Sequence, residues 1–485
     1  MTTTRGNGRF WPKGNRMQFM KRKFLVCCCA GALMTAAAAP AAMADDGGVT
    51  VKLGGFLAAE SVWRSRNEAA DIGSSYSGIP FSNAPQGHMS ELRFTARQSR
   101  LSLLVQGDAD PDTVLSMYGE FDFLGAAQSA NSNESNSYNL RIRNLYGTVD
   151  WESAGVEFLA GQNWSLVTLN SKGITPRNEV APAGIEAQYV PGFAWARQPQ
   201  LRIVKNWDHQ VWLGVSLENP QTTFAANASP AQGISVTDVI AGGPEFNKAN
   251  NFSLNHVPDI VGKIAWEPRI GGGQPLHVEA FGLYRSYYDR VRTAADNALG
   301  LPAGNDNTNS SGGGFGGSIT WTAIPHLLDL QGSVLTGSGI GRYGSAQLPD
   351  VTIRPDGELA PVHETMFLGG ATLHASRALD IYGYGGSEQE SAKYYDIGTA
   401  HLGLGNPSYN LDGCLVEGGA CSPNIRAITQ GTAGFWWKFY QGSFGRFQFG
   451  MQYSYTHLNA FPGAGGTKPR TDDNMVFTSF RYYPF

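Results

Sequence analysis

The sequence predicts an all-β fold, a transmembrane antiparallel β-barrel of about sixteen strands with long extracellular loops and short periplasmic turns. The first observation behind this is a hydrophobic period of two. Phe447, Phe449, Met451, Tyr453 and Tyr455 alternate with Gln448, Gly450, Gln452, Ser454 and Thr456, and Leu115, Met117, Gly119, Phe121 and Phe123 alternate with Ser116, Tyr118, Glu120 and Asp122. Alternation over eight to ten residues gives a strand one apolar and one polar face. The second observation is that the gaps between such segments alternate in length. The third is composition. Gly accounts for 61 of 485 residues, aromatics for 11% and charged residues for only 16%.

The same figures exclude other classes. The chain is too aromatic and too sparsely charged for a long disordered protein. The net charge is −4 and no basic block follows residue 23, so nucleic acid is not an expected partner. After residue 44 no apolar run reaches the ~18 residues of a transmembrane helix.

Residues 1–44 read as a secretory signal peptide with an extended start. Lys21, Arg22 and Lys23 form the basic region and Phe24 to Ala39 the uncharged apolar region. Ala42-Met43-Ala44 is a small-x-small cleavage site before Asp45. This segment holds seven of the 36 basic residues and none of the 40 acidic ones, so residues 45–485, a single barrel domain, carry −11. The mature cysteines are Cys414 and Cys421, close together in a Gly-rich segment. An exported compartment permits a disulfide between them, and two Cys without nearby His make a poor zinc site.

The expected strands cover 49–64, 91–106, 113–123, 138–151, 155–164, 193–204, 210–218, 259–267, 275–287, 313–322, 327–340, 364–374, 379–386, 426–439, 445–457 and 473–485. Gaps after odd strands are long and rich in Gly, Asn, Ser and Pro. Gaps after even strands are short, as at Glu152-Ser153-Ala154. A soluble sandwich has no reason to sort its loops this way, whereas a membrane barrel does. Trp151, Trp266 and Trp321 fall next to short turns and Trp63 and Trp164 next to long loops, the places of two aromatic girdles. The chain ends inside its last strand as Arg481-Tyr482-Tyr483-Pro484-Phe485, and a terminal Phe after aromatics resembles the signal read by outer-membrane assembly machinery.

Charges on the polar faces are the candidate functional groups. Leu92, Phe94 and Ala96 put Arg93 and Arg97 on the polar face, and Leu101, Leu103 and Val105 put Arg100 there. The two halves differ in parity, which predicts a β-bulge near Gln98-Ser99. An Arg on the lipid face at mid-membrane costs about 2–4 kcal/mol. On the fourth strand Leu140 and Ile142 face lipid, which turns Arg141 and Arg143 inward, and the sixth offers Arg202 between Leu201 and Ile203, with Arg197 of unfixed facing. Glu120 and Asp122 stand between them on the third strand. A positive ladder beside acids orders water and sets a transverse field in a narrow pore. A salt-bridge network that only satisfies the interior is the alternative. The Ser165–Val190 segment, with Lys172, Arg177, Glu179 and Glu186, is either a constriction loop folded into the channel or an ordinary outer loop.

Catalytic and metal motifs are missing. Neither H-E-x-x-H nor G-x-S-x-G occurs, and Gly312–Gly317 fits G-x-G-x-x-G before a strand rather than a helix. His363, beside Glu364, has no partner at zinc spacing. Neither an enzyme nor a cofactor is expected. An outer-membrane enzyme with a site at the barrel rim, or a plugged structural or adhesive barrel, remains the alternative reading.

The runs Thr95-Ala96-Arg97-Gln98-Ser99-Arg100-Leu101-Ser102, Leu140-Arg141-Ile142-Arg143-Asn144-Leu145-Tyr146-Gly147, Leu159-Ala160-Gly161-Gln162-Asn163-Trp164-Ser165 and Arg197-Gln198-Pro199-Gln200-Leu201-Arg202 resemble the DcaP-like outer-membrane porins. The C-terminal run from Asp472 to Phe485 is similar to related bacterial porins. The resemblance implies a trimeric porin of sixteen strands in the outer membrane of a Gram-negative bacterium. It also implies an arginine-rich constriction that favours small organic anions. Only about four residues separate Asp45 from the first strand, so the coiled coil that precedes the barrel in some members is not expected.

Overall fold

The computed structural model describes residues 43–44, 48–125, 139–186, 188–226, 228–241, 251–270 and 274–484. The expected signal peptide, apart from Met43 and Ala44, and the terminal Phe485 lie outside the described residues.

Sixteen antiparallel strands close into a barrel. They are β1 (Val49–Arg64), β2 (Glu91–Thr95 and Arg100–Asp110), β3 (Thr113–Asp122), β4 (Arg141–Trp151), β5 (Val156–Trp164), β6 (Arg197–Trp207), β7 (Val211–Glu218) and β8 (Asp259–Trp266). They continue as β9 (Gln274–Thr293), β10 (Gly304–Ile324), β11 (Leu328–Ser338), β12 (His363–Ser376), β13 (Leu379–Glu390), β14 (Ile425–Gly442), β15 (Gly445–Ala460) and β16 (Arg470–Tyr483). Each strand pairs with the next, and β16 closes on β1 from Leu57↔Tyr482 to Arg64↔Met475. Around this closed wall each described strand has a neighbour on both sides, which is the condition for a sheet to stand in lipid.

The alternation decides which residues face out. Leu57, Phe94, Leu201, Ile203, Ile264, Phe315, Phe367, Tyr453 and Phe480 are exposed on the outer face, where lipid rather than water meets them. Trp151, Trp207, Trp266 and Trp437 are exposed near the short-turn ends. Two of the expected girdle residues depart from this. Trp164 is 7% exposed and packs edge-on against Phe193 inside the barrel, and Trp321 is half-buried. A strand-end position fixes the height of a side chain but not the face it takes.

The expected bulge is present. Glu60 pairs with Thr95 but Phe56 with Arg100, so four residues of β2, 96–99, oppose three of β1. Gly55 lies beside this shift at φ 121°, and a Cβ there would stand 2.1 Å from the Arg100 carbonyl oxygen. Only glycine allows that approach.

β9 and β10 run further than expected, as an antiparallel pair from Leu276↔Trp321 to Thr293↔Gly304. A membrane needs only about 9–11 residues per strand, so the distal half of this pair stands above it. Residues 304–312 there carry no apolar side chain, which left no alternation to read. The outer loops add small hairpins, among them Val351–Ile353 with Leu359–Pro361 and Lys393–Ile397 with Ala400–Leu404. Cys414 and Cys421 are joined by a disulfide between β13 and β14.

Candidate functional site

The 165–196 loop between β5 and β6 folds into the barrel and crosses it. Its polar contacts reach several walls. The Leu166 amide donates to Glu218 of β7 at 2.8 Å, and the Gly173 amide to Glu267 beyond β8 at 2.6 Å. Arg177 donates to the Tyr146 hydroxyl of β4 at 3.3 Å. The Ile185 amide donates to Gln452 of β15 at 2.6 Å, Trp436 Nε1 of β14 donates to the Ala183 carbonyl at 2.7 Å, and the Gly192 amide donates to Glu388 of β13 at 2.7 Å. The loop also supplies apolar groups to the interior. Leu166, Val167 and Ile174 pack with Trp212, Val261 and Phe281 of the wall, and Ile185, Val190 and Phe193 pack with Tyr382 and Trp436. A loop of this length is held only when its amides find partners, and here barrel side chains supply them.

Two cavities flank the loop. One of about 550 Å³ is lined by β1–β4 and β13–β16, and one of about 810 Å³ opens among the short turns. Ala181 and Ala183 of the loop and Asp380 of β13 line both. Lys172 lines the larger.

The smaller cavity gathers charge. Arg100, Arg143, Lys438, Arg446 and Arg481 face it, together with Glu120, Asp122, Glu186 and Asp380. Arg143 donates to Glu120 at 2.6 Å and to Asp122 at 3.1 Å. Arg100 lies 3.8 Å from Glu120, a looser pair, and 5.2 Å from the Phe56 ring centre. Arg481 pairs with Glu60 at 2.9 Å and lies between Phe56 and Trp436, at 4.8 and 4.7 Å. Lys438 pairs with Asp380 at 2.6 Å. Arg446 sits 4.2 Å over the Tyr483 ring and has no carboxylate partner among the described residues.

Three loop groups are shifted by their surroundings. Burial pushes the Tyr189 hydroxyl upward, but Arg143, Arg100 and Arg197 outweigh it and bring the group down to about 8. Arg143 approaches that hydroxyl at 3.5 Å. Burial raises the Glu186 carboxyl to about 7, against the hydrogen bond from Gln430 at 3.0 Å. Glu179, which accepts from Asn163 at 3.1 Å, is also raised by burial.

The predicted arginines divide into groups. Arg100 and Arg143 reach the cavity, with Glu120 and Asp122. Arg141 makes a two-toothed pair with Asp122 at 2.9 and 2.7 Å, and Arg97 is bound to Asp71 of the first outer loop at 2.6 Å. Arg93 stands at the outer end of β2, 3.3 Å from Glu91. Arg202 is buried and donates to the Gln200 side chain at 3.0 Å and the Trp164 carbonyl at 2.5 Å. Arg197 stacks on Trp164 at 4.7 Å and lines neither cavity. The sequence reading missed Lys438, Arg446 and Arg481. The signal was there: Phe480 and Tyr482 flank Arg481, as Phe447 follows Arg446. Their meeting with Arg100 requires the β16–β1 closure, which no local pattern contains.

Among the described residues no group of three or more His, Cys, Asp or Glu is placed to hold a metal. No protein-family model matches the chain, and no curated protein matches it. Solved structures do. The outer membrane channel DcaP of Acinetobacter baumannii aligns with a TM-score of 0.62 at 17% identity, over 91% of this chain and 99% of that one. OmpF of Salmonella typhi aligns with a TM-score of 0.47 at 11% identity, over 91% and 99%. OprB of Pseudomonas putida aligns at 0.46 and 10%, over 90% and 94%. At 17% identity the likeness to DcaP is one of fold, and the chain folds as the closed sixteen-stranded barrel of an outer-membrane channel.

Proposed function

We propose that this protein is a passive diffusion channel of a Gram-negative outer membrane that favours small organic anions. The observation that carries the reading is the constricted lumen. A loop crosses it, and a cavity beside the loop holds Arg446 without a carboxylate partner among the described residues and Arg100 at the long distance of 3.8 Å from one. The lowered Tyr189 hydroxyl is what a net positive potential at the loop produces. Low-dielectric walls focus such a field on whatever enters, and rings of cationic side chains are how pores favour anions. A homotrimer in outer-membrane lipid, inserted by machinery that reads the C-terminal aromatic signal ending in Phe485, completes the reading.

A plugged barrel is the second reading, favoured by the apolar packing of the 165–196 loop and of Ile72, Tyr76 and Ile79 from the first outer loop. Planar bilayers separate the two. The channel reading expects discrete current steps. It also expects proteoliposomes to pass a small carboxylate faster than an amine of the same size. Bilayers that stay silent with correctly folded protein favour the plug.

A further inference from the structure

The outer face of β13–β15 carries an apolar groove of about 710 Å³, lined by Leu379, Ile381, Phe435, Trp437, Met451 and Tyr453 among others. Above it the wall is cut low. Gly383 pairs with Ala433 and Gly385 with Gly431, all four exposed. On β15 beside them stand Tyr453 and Tyr455, the register partners of Ala433 and Gly431. A side chain added at Gly431 meets nothing within 4 Å. The result is a furrow with a tyrosine bank, running from the groove toward the outer rim.

Three cations stand at the top. Arg426 is the extra residue where Ile425 pairs with Ala460 but Ala427 with Asn459. Arg470 pairs with Asn459 at the start of β16, and Lys468 precedes it. All three are exposed, and none has an ion pair or side-chain hydrogen bond among the described residues. The outward side chains of β15 change from aromatic at Tyr453 and Tyr455 to polar at His457 and Asn459, which marks headgroup level. From Asn459 to Tyr453 is about 20 Å along the strand at ~3.3 Å per residue, or about 15 Å of depth at a tilt near 40°. That is about half of a ~30 Å hydrocarbon core, the reach of one acyl chain.

We propose that this face holds one anionic phospholipid-type molecule of the outer leaflet, its phosphate on Arg426, Lys468 and Arg470 and an acyl chain along the furrow into the groove. Charge complementarity selects the occupant: an uncharged surface has no use for three unpaired cations at the head of an apolar groove. The inference rests on the outer-membrane placement proposed above but not on channel activity.

The probe is diphosphoryl lipid A, added to the full protein in neutral detergent, with phosphatidylcholine as the uncharged comparison. Native mass spectrometry should find one lipid A retained per protomer, favoured over phosphatidylcholine by about tenfold or more. R426Q/R470Q should lose most of that preference, G431L should lower retention of both lipids, and R290Q/R292Q on the β9 extension should change neither. If a variant fails to show the heat-dependent gel shift of a folded barrel, raising salt on the wild type replaces it, and retention of lipid A should fall severalfold. Equal retention of the two lipids, or retention of lipid A indifferent to salt, overturns the proposal. So does a G431L protein that dissociates to a smaller oligomer with lipid A retention unchanged, which would assign the furrow to a second copy of the chain. Current steps in planar bilayers, measured separately, remain the test of the channel.

Discussion

At the scale of single residues, an arginine on the polar face is not yet a group that a solute meets. Arg97 and Arg141 satisfy the inward rule, yet each is committed to an aspartate, at 2.6 Å from Asp71 and 2.7 Å from Asp122. Replacing either leaves a carboxylate without its cation, so a change in selectivity there mixes two effects. Arg446 is the cleaner probe, because removing it strands no carboxylate among the described residues. Glu186 gives a second prediction. Its carboxyl titrates at about 7, so it is neutral below that pH and negative above it. Anion preference should therefore fall as pH rises through 7, and Glu186→Gln should flatten the change. The same group acts on stability. Its folded value lies above the ordinary 4.5, so its contribution is fully present below pH 4.5 and is lost as pH rises through about 7. Denaturant midpoints of Glu186→Gln should accordingly hold up better above pH 7 than those of the wild type. A selectivity profile of the same slope in both proteins would remove Glu186 from the constriction.

At the scale of elements, the alternation was readable wherever a strand faces lipid and lost wherever it does not. Arg143 shows the limit. Leu140 and Ile142 point outward, and so does Leu145, three positions on, which requires a second bulge. The register shows it: Glu120 pairs with Asn144 but Phe121 with Ile142, leaving Arg143 as the extra residue, so both Arg143 and Asn144 are buried inside. For the Ser165–Val190 segment the sequence leaves both an inward fold and an outer loop open, because the contacts that seat it on β7, β13 and β15 are remote in sequence. Gly192 tests that seat. It has φ 89°, and a Cβ would come within 2.0 Å of the Phe367 carbonyl oxygen. Gly192→Ala should cost about 1–3 kcal/mol of local stability, read as flickering single-channel current with barrel strands intact by circular dichroism. Quiet current at the wild-type conductance would show that the loop does not depend on that contact. In the outer loop between β13 and β14, Cys414 and Cys421 close a ring with a sequence separation of 7. A disulfide of that span is worth about 2–3 kcal/mol on the chain-entropy model. Non-reducing mass spectrometry should find both thiols absent, and full alkylation of native protein would contradict the bond.

At the scale of the molecule, the proposed channel sets a net negative chain against a locally positive lumen. Residues 45–485 carry −11, whereas the smaller cavity gathers the five cations Arg100, Arg143, Lys438, Arg446 and Arg481 against the four carboxylates Glu120, Asp122, Glu186 and Asp380. Charges on outer loops are screened beyond about 8 Å at physiological salt, while the low-dielectric wall focuses those inside the barrel. Closure produces this concentration by bringing β16 beside β1 and so placing Arg481 near Arg100. The proposed channel has an open, positively biased lumen, and the reversal potential of single channels in a salt gradient tests it most directly. Wild-type protein should show current steps and a reversal potential of the sign set by anions, and Arg446→Gln with Arg100→Gln should move it toward cation preference while the gel shift of the folded barrel persists. Cation preference in the wild type, or a reversal potential that the double substitution leaves unmoved, would contradict the account.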